Sequence, residues 1–346
     1  MPDKKPIINV GFTCIGFPMW SLAIDALKSI EGVNVRIVGM DVKNDVPARN
    51  KLDSFITIPS GNSKDYPDVL LDICKKEKVR ILIPGADEEN FALAERNYEF
   101  QSNGITCTVP AGNSLKLLCD KAAMYDFLSE NGVTVPSYMR VRTANDLENA
   151  CRKIPLHDGK FIVKISVSRG GRGVFLVSMF QPETRSFFER DEIKTISLTD
   201  MAGIVEGAKD KMFLAMEYLE GDYYDVDVLS DSGTPVYSIQ RKRFNPNGIP
   251  WQGSEITNNK KMNDISTKIC NLLNLHYLYD FDMFVKDEVV YPIEINPRNS
   301  GSVCATISAG INLYADLLRI ALNIPIERKS IPYGKKIYPR LDMEVQ

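Results

Sequence analysis

Through the first third of the chain, short β-branched runs at residues 7–10, 33–38 and 79–84 alternate with helical patterns at 20–30 and 67–77. Near-continuous apolar strands of this kind, with helices between them, predict a parallel sheet with crossover connections. A boundary falls near residues 111–114. It opens a helical stretch at about 115–130 and leads into Asn131-Gly-Val-Thr-Val-Pro136. Strand patterns follow at 161–165, 212–217, 222–229 and 236–243. Residues 278–285 then read as one arm of a hairpin turning near Lys286-Asp287-Glu288, with the strand ending at Glu294-Ile295-Asn296 as the other arm. Helical patterning returns at 311–322, and the last sixteen residues read as peripheral.

Composition narrows the function. A chain of 346 residues, 44% of them hydrophobic, is long enough for two or three cores. Its 42 basic and 45 acidic residues are well mixed and give a net charge of −3, so no basic face for nucleic acid or polybasic membrane patch is expected. The start of the chain has two lysines but no long apolar core or small-residue cleavage site. No apolar run approaches membrane-spanning length, and a cytoplasmic location is expected. Seven cysteines stand singly and only two histidines occur, which leaves zinc and disulfide frameworks without ligands at usable spacing. A histidine-based triad is equally unsupported, His157 and His276 lying in a loop and at a helix-to-strand transition.

The chemistry concentrates in Glu294-Ile295-Asn296-Pro297-Arg298-Asn299-Ser300-Gly301-Ser302. On a strand, Glu294 and Asn296 point to one face and offer two oxygen ligands of the kind Mg²⁺ prefers, while Arg298 is placed to grip phosphoryl oxygens. A hairpin register that pairs Asp280 or Asp282 with Glu294 adds a carboxylate to that face. Lys164 interrupts an apolar strand, and a buried lysine is costly unless an anion balances it; a nucleotide phosphate would. The following Ser168-Arg-Gly170-Gly171-Arg-Gly173 frees backbone N–H groups to converge on anionic oxygens and is expected to close as a lid. This is neither a Walker loop nor, at Gly11–Gly16, a dinucleotide fingerprint. Asp41 is expected in a turn or cap, Asp87 and Glu88 either at substrate or capping a helix. Arg241 and Arg243 either stabilise phosphate or carboxylate charge or form a solvated basic strand end.

At E-x-N-P-R the sequence resembles the ATP-grasp superfamily, in particular the branch of the carbamoyl-phosphate synthase large subunit and its stand-alone relatives. The order of Lys164, the glycine loop, Glu217, Asp282 and E-x-N-P-R carries the resemblance over residues 113–325. It implies α/β and α+β architecture: a Rossmann-like pre-ATP-grasp domain (1–112), a small lobe with the glycine-rich lid (113–210), a large lobe with the metal site (211–330) and a tail (331–346). It implies ATP and Mg²⁺, with Mn²⁺ as a substitute, and metal ligands Asp282, Glu294 and Asn296; Phe281-Asp282 matches the family's Phe-Asp pair. Arg298, Lys164 and Arg243 would be catalytic. Lys121, Lys164, Ser168, Gly170, Gly171 and Gly173 would cradle phosphates, although Lys121 alone also reads as a surface lysine. Glu217, Tyr218 and Leu219 would bind adenine. Relatives commonly have a glutamate for ribose where Tyr223 stands, which leaves Asp222 or Asp225 as substitutes unless they are simply solvent-exposed. Asp227 fits the family's V-D-V strand.

The implied activity is carboxylate–amine ligation through an acyl phosphate, on small-molecule carboxylate and amine substrates of amino-acid or peptide type. Half of a split carbamoyl-phosphate synthase and a nucleotide-binding regulator without turnover are the alternatives. A homodimer is compatible with the sequence, and neither nucleic acid nor a membrane is expected as a partner.

Overall fold

The computed structural model describes residues 5–17, 19–167, 173–180, 194–248 and 250–340. Its first sheet holds β1 (Ile7–Thr13), β2 (Asn34–Asp41), β3 (Ser54–Thr57), β4 (Ile81–Ile83) and β5 (Thr106–Cys107) in the order β3-β2-β1-β4-β5. All four pairings are parallel, as the alternating pattern predicts. The short β3 carries too few apolar residues to stand out in the sequence. Helices α1 (Trp20–Lys28), α2 (Tyr66–Lys76), α3 (Asp87–Glu95) and α4 (Asn97–Ser102) make the connections.

Where one helix is predicted at 115–130, the structure has two: α5 (Gly112–Cys119) and α6 (Lys121–Glu130). Asp120 breaks the stretch. Its backbone is extended and its carboxylate accepts the N–H groups of Ala122 and Ala123, capping α6 and competing with a continuous helix. The second sheet contains β6 (Tyr138–Val141), β7 (Lys160–Ile165), β8 (Val174–Ser178), β9 (Lys194–Ser197) and β10 (Phe213–Glu217), ordered β6-β10-β7-β8-β9. It is covered by α7 (Ala144–Lys153) and α8 (Leu198–Gly207). β10 pairs with β6 and β7, so its chain crosses the expected division at 210/211.

The third sheet is antiparallel: β11 (Asp222–Asp231), β12 (Thr234–Arg243), β13 (Ser254–Thr257), β14 (Tyr277–Lys286), β15 (Val289–Asn296) and β16 (Lys336–Ile337), ordered β15-β14-β11-β12-β13-β16. The tail therefore contributes an edge strand, β16 pairing with β13. The β14–β15 hairpin turns at Asp287 and Glu288, both with positive φ (49° and 60°), as a two-residue turn matched to strand twist requires. Pro292, which has no N–H to donate, sits on the edge strand β15. Next to it the register slips: Asp282 faces Glu294 while Met283 faces Pro292, leaving Ile293 as a bulge.

Two cores join these units. One combines the first sheet, α1, and the back of the third sheet (Leu229, Tyr237, Ile239, Ile256, Leu278) with α10 (Val303–Ser308) and α11 (Leu313–Ala321). The other packs α5, α6 and α9 (Lys260–Leu273) on β11, β14 and β15. The N-terminal unit and the third sheet are thus held by shared apolar burial, and Asn90 of α3, after β4, donates to the Pro297 carbonyl just past β15.

Candidate active site

Three strands of the third sheet place their acids on one face. Asp225 of β11 lies opposite Asp282 of β14, which lies opposite Glu294 of β15; one step along, Asp227, Asp280 and Asn296 form a second row. Residues opposite each other and two apart share a face, so the period-two spacing in each strand becomes a block of six oxygen-bearing side chains. Oxygens of Asp225, Asp280 and Asp282 come within 4.8 Å of one another. Burial, only partly offset by Arg243, pushes Asp282 up to about 7. Burial and the charge of Asp282 push Asp280 well above the usual carboxylate range. Both shifts come first from burial, with the crowding of neighbouring carboxylates adding to it.

Cations line the other side of the block. Arg243 makes a two-point bond to Asp225, reaches Asp282 at 3.5 Å and stacks 3.8 Å over the Tyr223 ring. Arg298 lies 3.2 Å from Asp87, which arrives from the N-terminal unit, and 3.4 Å from the side-chain Oδ1 of Asn296. Lys121, buried at the start of α6, is ion-paired with Glu294 at 3.0 Å. Lys164 is buried too, yet among the described residues its ammonium donates only to neutral oxygens, the Tyr125 hydroxyl (3.2 Å) and the carbonyl of the bulged Ile293 (3.3 Å). Burial drives Lys164 down to about 7, with Glu294 opposing and Lys121 reinforcing the shift.

Arg241 is fully buried and works differently. Its guanidinium donates to Asp227 (2.9 and 3.2 Å), Ser302 (2.8 Å) and Ser300 (3.3 Å), tying β11 and β12 to the loop that follows Arg298. Thr306 donates to the same Asp227 carboxylate. From the other side Asn90 donates to the Pro297 carbonyl at 3.1 Å. Asp227 is therefore an anchor of this network, and the solvated-strand-end reading of Arg241 and Arg243 is corrected: only Lys242, alternating to the opposite face, pairs with Asp222 toward solvent.

The remaining expected residues fall in different places. Lys121 is no surface lysine, because the Asp120 break turns its side chain inward. Asp225 is 1% exposed, not solvated, and its neighbours are Arg243 and Asp282. Glu217 accepts the Ser137 N–H at 2.9 Å and joins β10 to the loop before β6. Leu219 is buried, and Tyr218 lies half-buried beside His157. Gly173 opens β8 with φ 72°, and an added Cβ would meet Ile165 at 2.6 Å, so this glycine serves a close strand approach. Ser168, Gly170 and Gly171 lie outside the described residues. Asp41 takes the turn role, accepting from Gly16 and Lys43 N–H groups. Sequence reasoning treated Asp280 as an alternative to Asp282, whereas the structure brings both to the block; it passed over Tyr125 and the anchoring of Arg241.

A cavity of about 580 Å³ opens beside the block, between the N-terminal unit and the end of β15, with Lys64, Asp87, Glu88, Phe91, Glu294 and Asn296 among its lining. The donor set of the block suits a hard divalent cation: it is all oxygen, and Asp280 Oδ1 is buried with no hydrogen-bond partner among the described residues. Mg²⁺ or Mn²⁺ fits these residues.

Residues 209–338 match the family described as ATP-grasp in the biosynthetic pathway with Ter operon, and residues 21–108 match the PylC-like N-terminal domain. With the architecture above, these matches are consistent with the ATP-grasp superfamily. It is 24% identical over 333 residues to formate-dependent phosphoribosylglycinamide formyltransferase of Pyrococcus horikoshii, covering 92% of this chain and 71% of that protein. The Wolinella succinogenes protein of the same name is 22% identical over 323 residues, 90% of this chain and 77% of its own length. Among solved structures, N5-carboxyaminoimidazole synthetase of Staphylococcus aureus complexed with ADP shares the fold at TM-score 0.69 and 15% identity, over 97% of this chain and 82% of that one. L-Amino acid ligase of Bacillus licheniformis does so at TM-score 0.62 and 14% identity, over 92% and 75%.

Proposed function

We propose that this chain is an ATP-dependent carboxylate–amine ligase that works through an acyl phosphate. The observation that carries the reading is the paired rows of acids on β11, β14 and β15 with Lys121, Lys164, Arg243 and Arg298 around them. That arrangement suits a metal-bound polyphosphate. Asp282, Glu294 and Asn296, joined by Asp280, would hold Mg²⁺, which when bound offsets phosphate charge. Lys164 and Lys121 are the candidates to hold phosphate oxygens, and Arg298 to orient the transferred group. Leu219, Tyr218 and Glu217 are assigned to the adenine side.

In the reaction a substrate carboxylate oxygen bonds to the γ-phosphorus as the bond to the β–γ bridging oxygen breaks and ADP leaves. The amine then attacks the acyl carbon, the acyl C–O bond breaks, and phosphate departs with one former carboxylate oxygen. The protein's part is positioning and charge stabilisation. The relatives named above include a formyltransferase that is formate-dependent and an amino acid ligase, which supports a carboxylate as phosphoryl acceptor. Asp87 and Glu88 in the cleft suit the amine partner, whose ammonium form they would attract.

The test is oxygen transfer. With an ¹⁸O-labelled carboxylate found by screening amino acids and dipeptides for ADP release, the released phosphate should carry one ¹⁸O per turnover. Product formed without label in the phosphate rules the acyl phosphate out.

A further inference from the structure

Three of the four cations around the site rest on an oxygen ligand assigned to the metal, Lys164 being the exception. Lys121 Nζ is 3.0 Å from Glu294 Oε1, Arg243 Nη2 is 3.5 Å from Asp282 Oδ1, and Arg298 Nη2 is 3.4 Å from Asn296 Oδ1. In these three pairs, cation and metal ligand are already spent on each other. Of the three contacts, that of Lys121 is the closest, and its side chain, 4% exposed, is the most enclosed of the three cations. Its root is also fixed, since the Lys121 N–H donates to Ser166 O just beyond the Lys164 strand, and the neighbouring Asp120 caps α6.

A divalent ion entering alone would have to take Glu294 from Lys121 and leave a buried ammonium facing a dication. Nucleotide entering without metal would draw Lys121 away and leave Glu294 and Asp282 facing its phosphates. Either half-occupied state strands a buried charge, which is strongly unfavourable. When both enter, the pairs exchange: metal to carboxylates, phosphates to cations, and no charge is stranded.

We propose that Lys121 reserves Glu294 against divalent metal until nucleotide arrives, so that metal and nucleotide bind as a mutually dependent pair. This rests on the reading of Asp282, Glu294 and Asn296 as metal ligands. By linkage the metal must tighten nucleotide binding by the factor with which nucleotide tightens metal binding.

Mn²⁺ binding to the full chain, followed by loss of the free-ion electron paramagnetic resonance signal, tests the idea. It is measured with and without β,γ-imido-ATP, the metal–analogue mixture without protein serving as blank. In the unsubstituted protein the analogue should tighten Mn²⁺ binding by about 30-fold or more. Lys121→Met should bind Mn²⁺ without nucleotide about tenfold tighter than the unsubstituted protein, with the coupling reduced by a similar factor. Lys121→Arg, which keeps the pair, should restore coupling, and Lys121→Gln replaces the methionine variant if circular dichroism shows that one unfolded. If the neutral variants bind Mn²⁺ no tighter without nucleotide, while the unsubstituted protein keeps its nucleotide-dependent binding, the role given to Lys121 is wrong and the metal reading survives. If the unsubstituted protein holds no Mn²⁺ even with the analogue, or Glu294→Gln holds it equally well, the metal reading fails and this proposal with it.

Discussion

Lys164 offers a quantitative test because its ammonium is buried with no carboxylate in contact among the described residues. Burial brings it down to about 7. At pH 8 only about a tenth of the nucleotide-free protein then carries the proton, whereas a phosphate oxygen alongside would return the group to about 10, its ordinary range. Binding should therefore draw about 0.9 proton onto Lys164 at pH 8 and about 0.1 at pH 6, where the group is already charged. Asp280 and Asp282 also change protonation when a metal enters, so the informative quantity is the difference between the unsubstituted protein and Lys164→Met. The sign follows from the direction of the shift. Between about 7 and 10 the bound state holds more protons, so the Lys164 contribution to affinity weakens as pH rises through that window. For the empty protein the comparison is with the unfolded chain, which holds the proton up to about 10.4; folding stability from this group accordingly rises with pH over the same interval. Titration calorimetry of Mg²⁺ and β,γ-imido-ATP at pH 8, in buffers of different ionisation enthalpy, counts the protons. A difference below about 0.3 proton between the two proteins would refute the reasoning that Lys164 is an uncharged, phosphate-seeking lysine.

Two further predictions concern the scaffold. Arg241→Met strips the buried Asp227 carboxylate of its cation and should cost about 3–5 kcal/mol in urea unfolding; an unchanged midpoint would mean that the network tying β11 and β12 to the 298–302 loop contributes nothing. At Gly221, on the linker between the second and third sheets, an added Cβ would stand 2.2 Å from the Val285 carbonyl oxygen, and relief requires opening the Asp222–Val285 pairing. Gly221→Ala should lower unfolding free energy by about 2–4 kcal/mol, again read from urea denaturation, with a neutral result contradicting the close approach.

How much of this was written in the sequence depends on the range of the interaction. Strand periodicity alone placed Glu294 and Asn296 on one face, and a lysine inside an apolar run marked Lys164 as buried, because both follow from which way successive side chains point. The parallel character of the first sheet was equally legible, its strands being apolar on both faces. The partners were not. Arg241 meets Ser302 61 residues later, and Asn90 meets Pro297 across 207 residues. Asp120 reads as one more position in an amphipathic helix until its carboxylate is seen on the N–H groups of Ala122 and Ala123, and β10 reads as the start of the following lobe until its pairing with β6 and β7 puts it in the second sheet. A strand's sequence determines which side chains share a face; the charge, burial and protonation of that face come from the register of neighbouring strands, which only the packed tertiary structure sets.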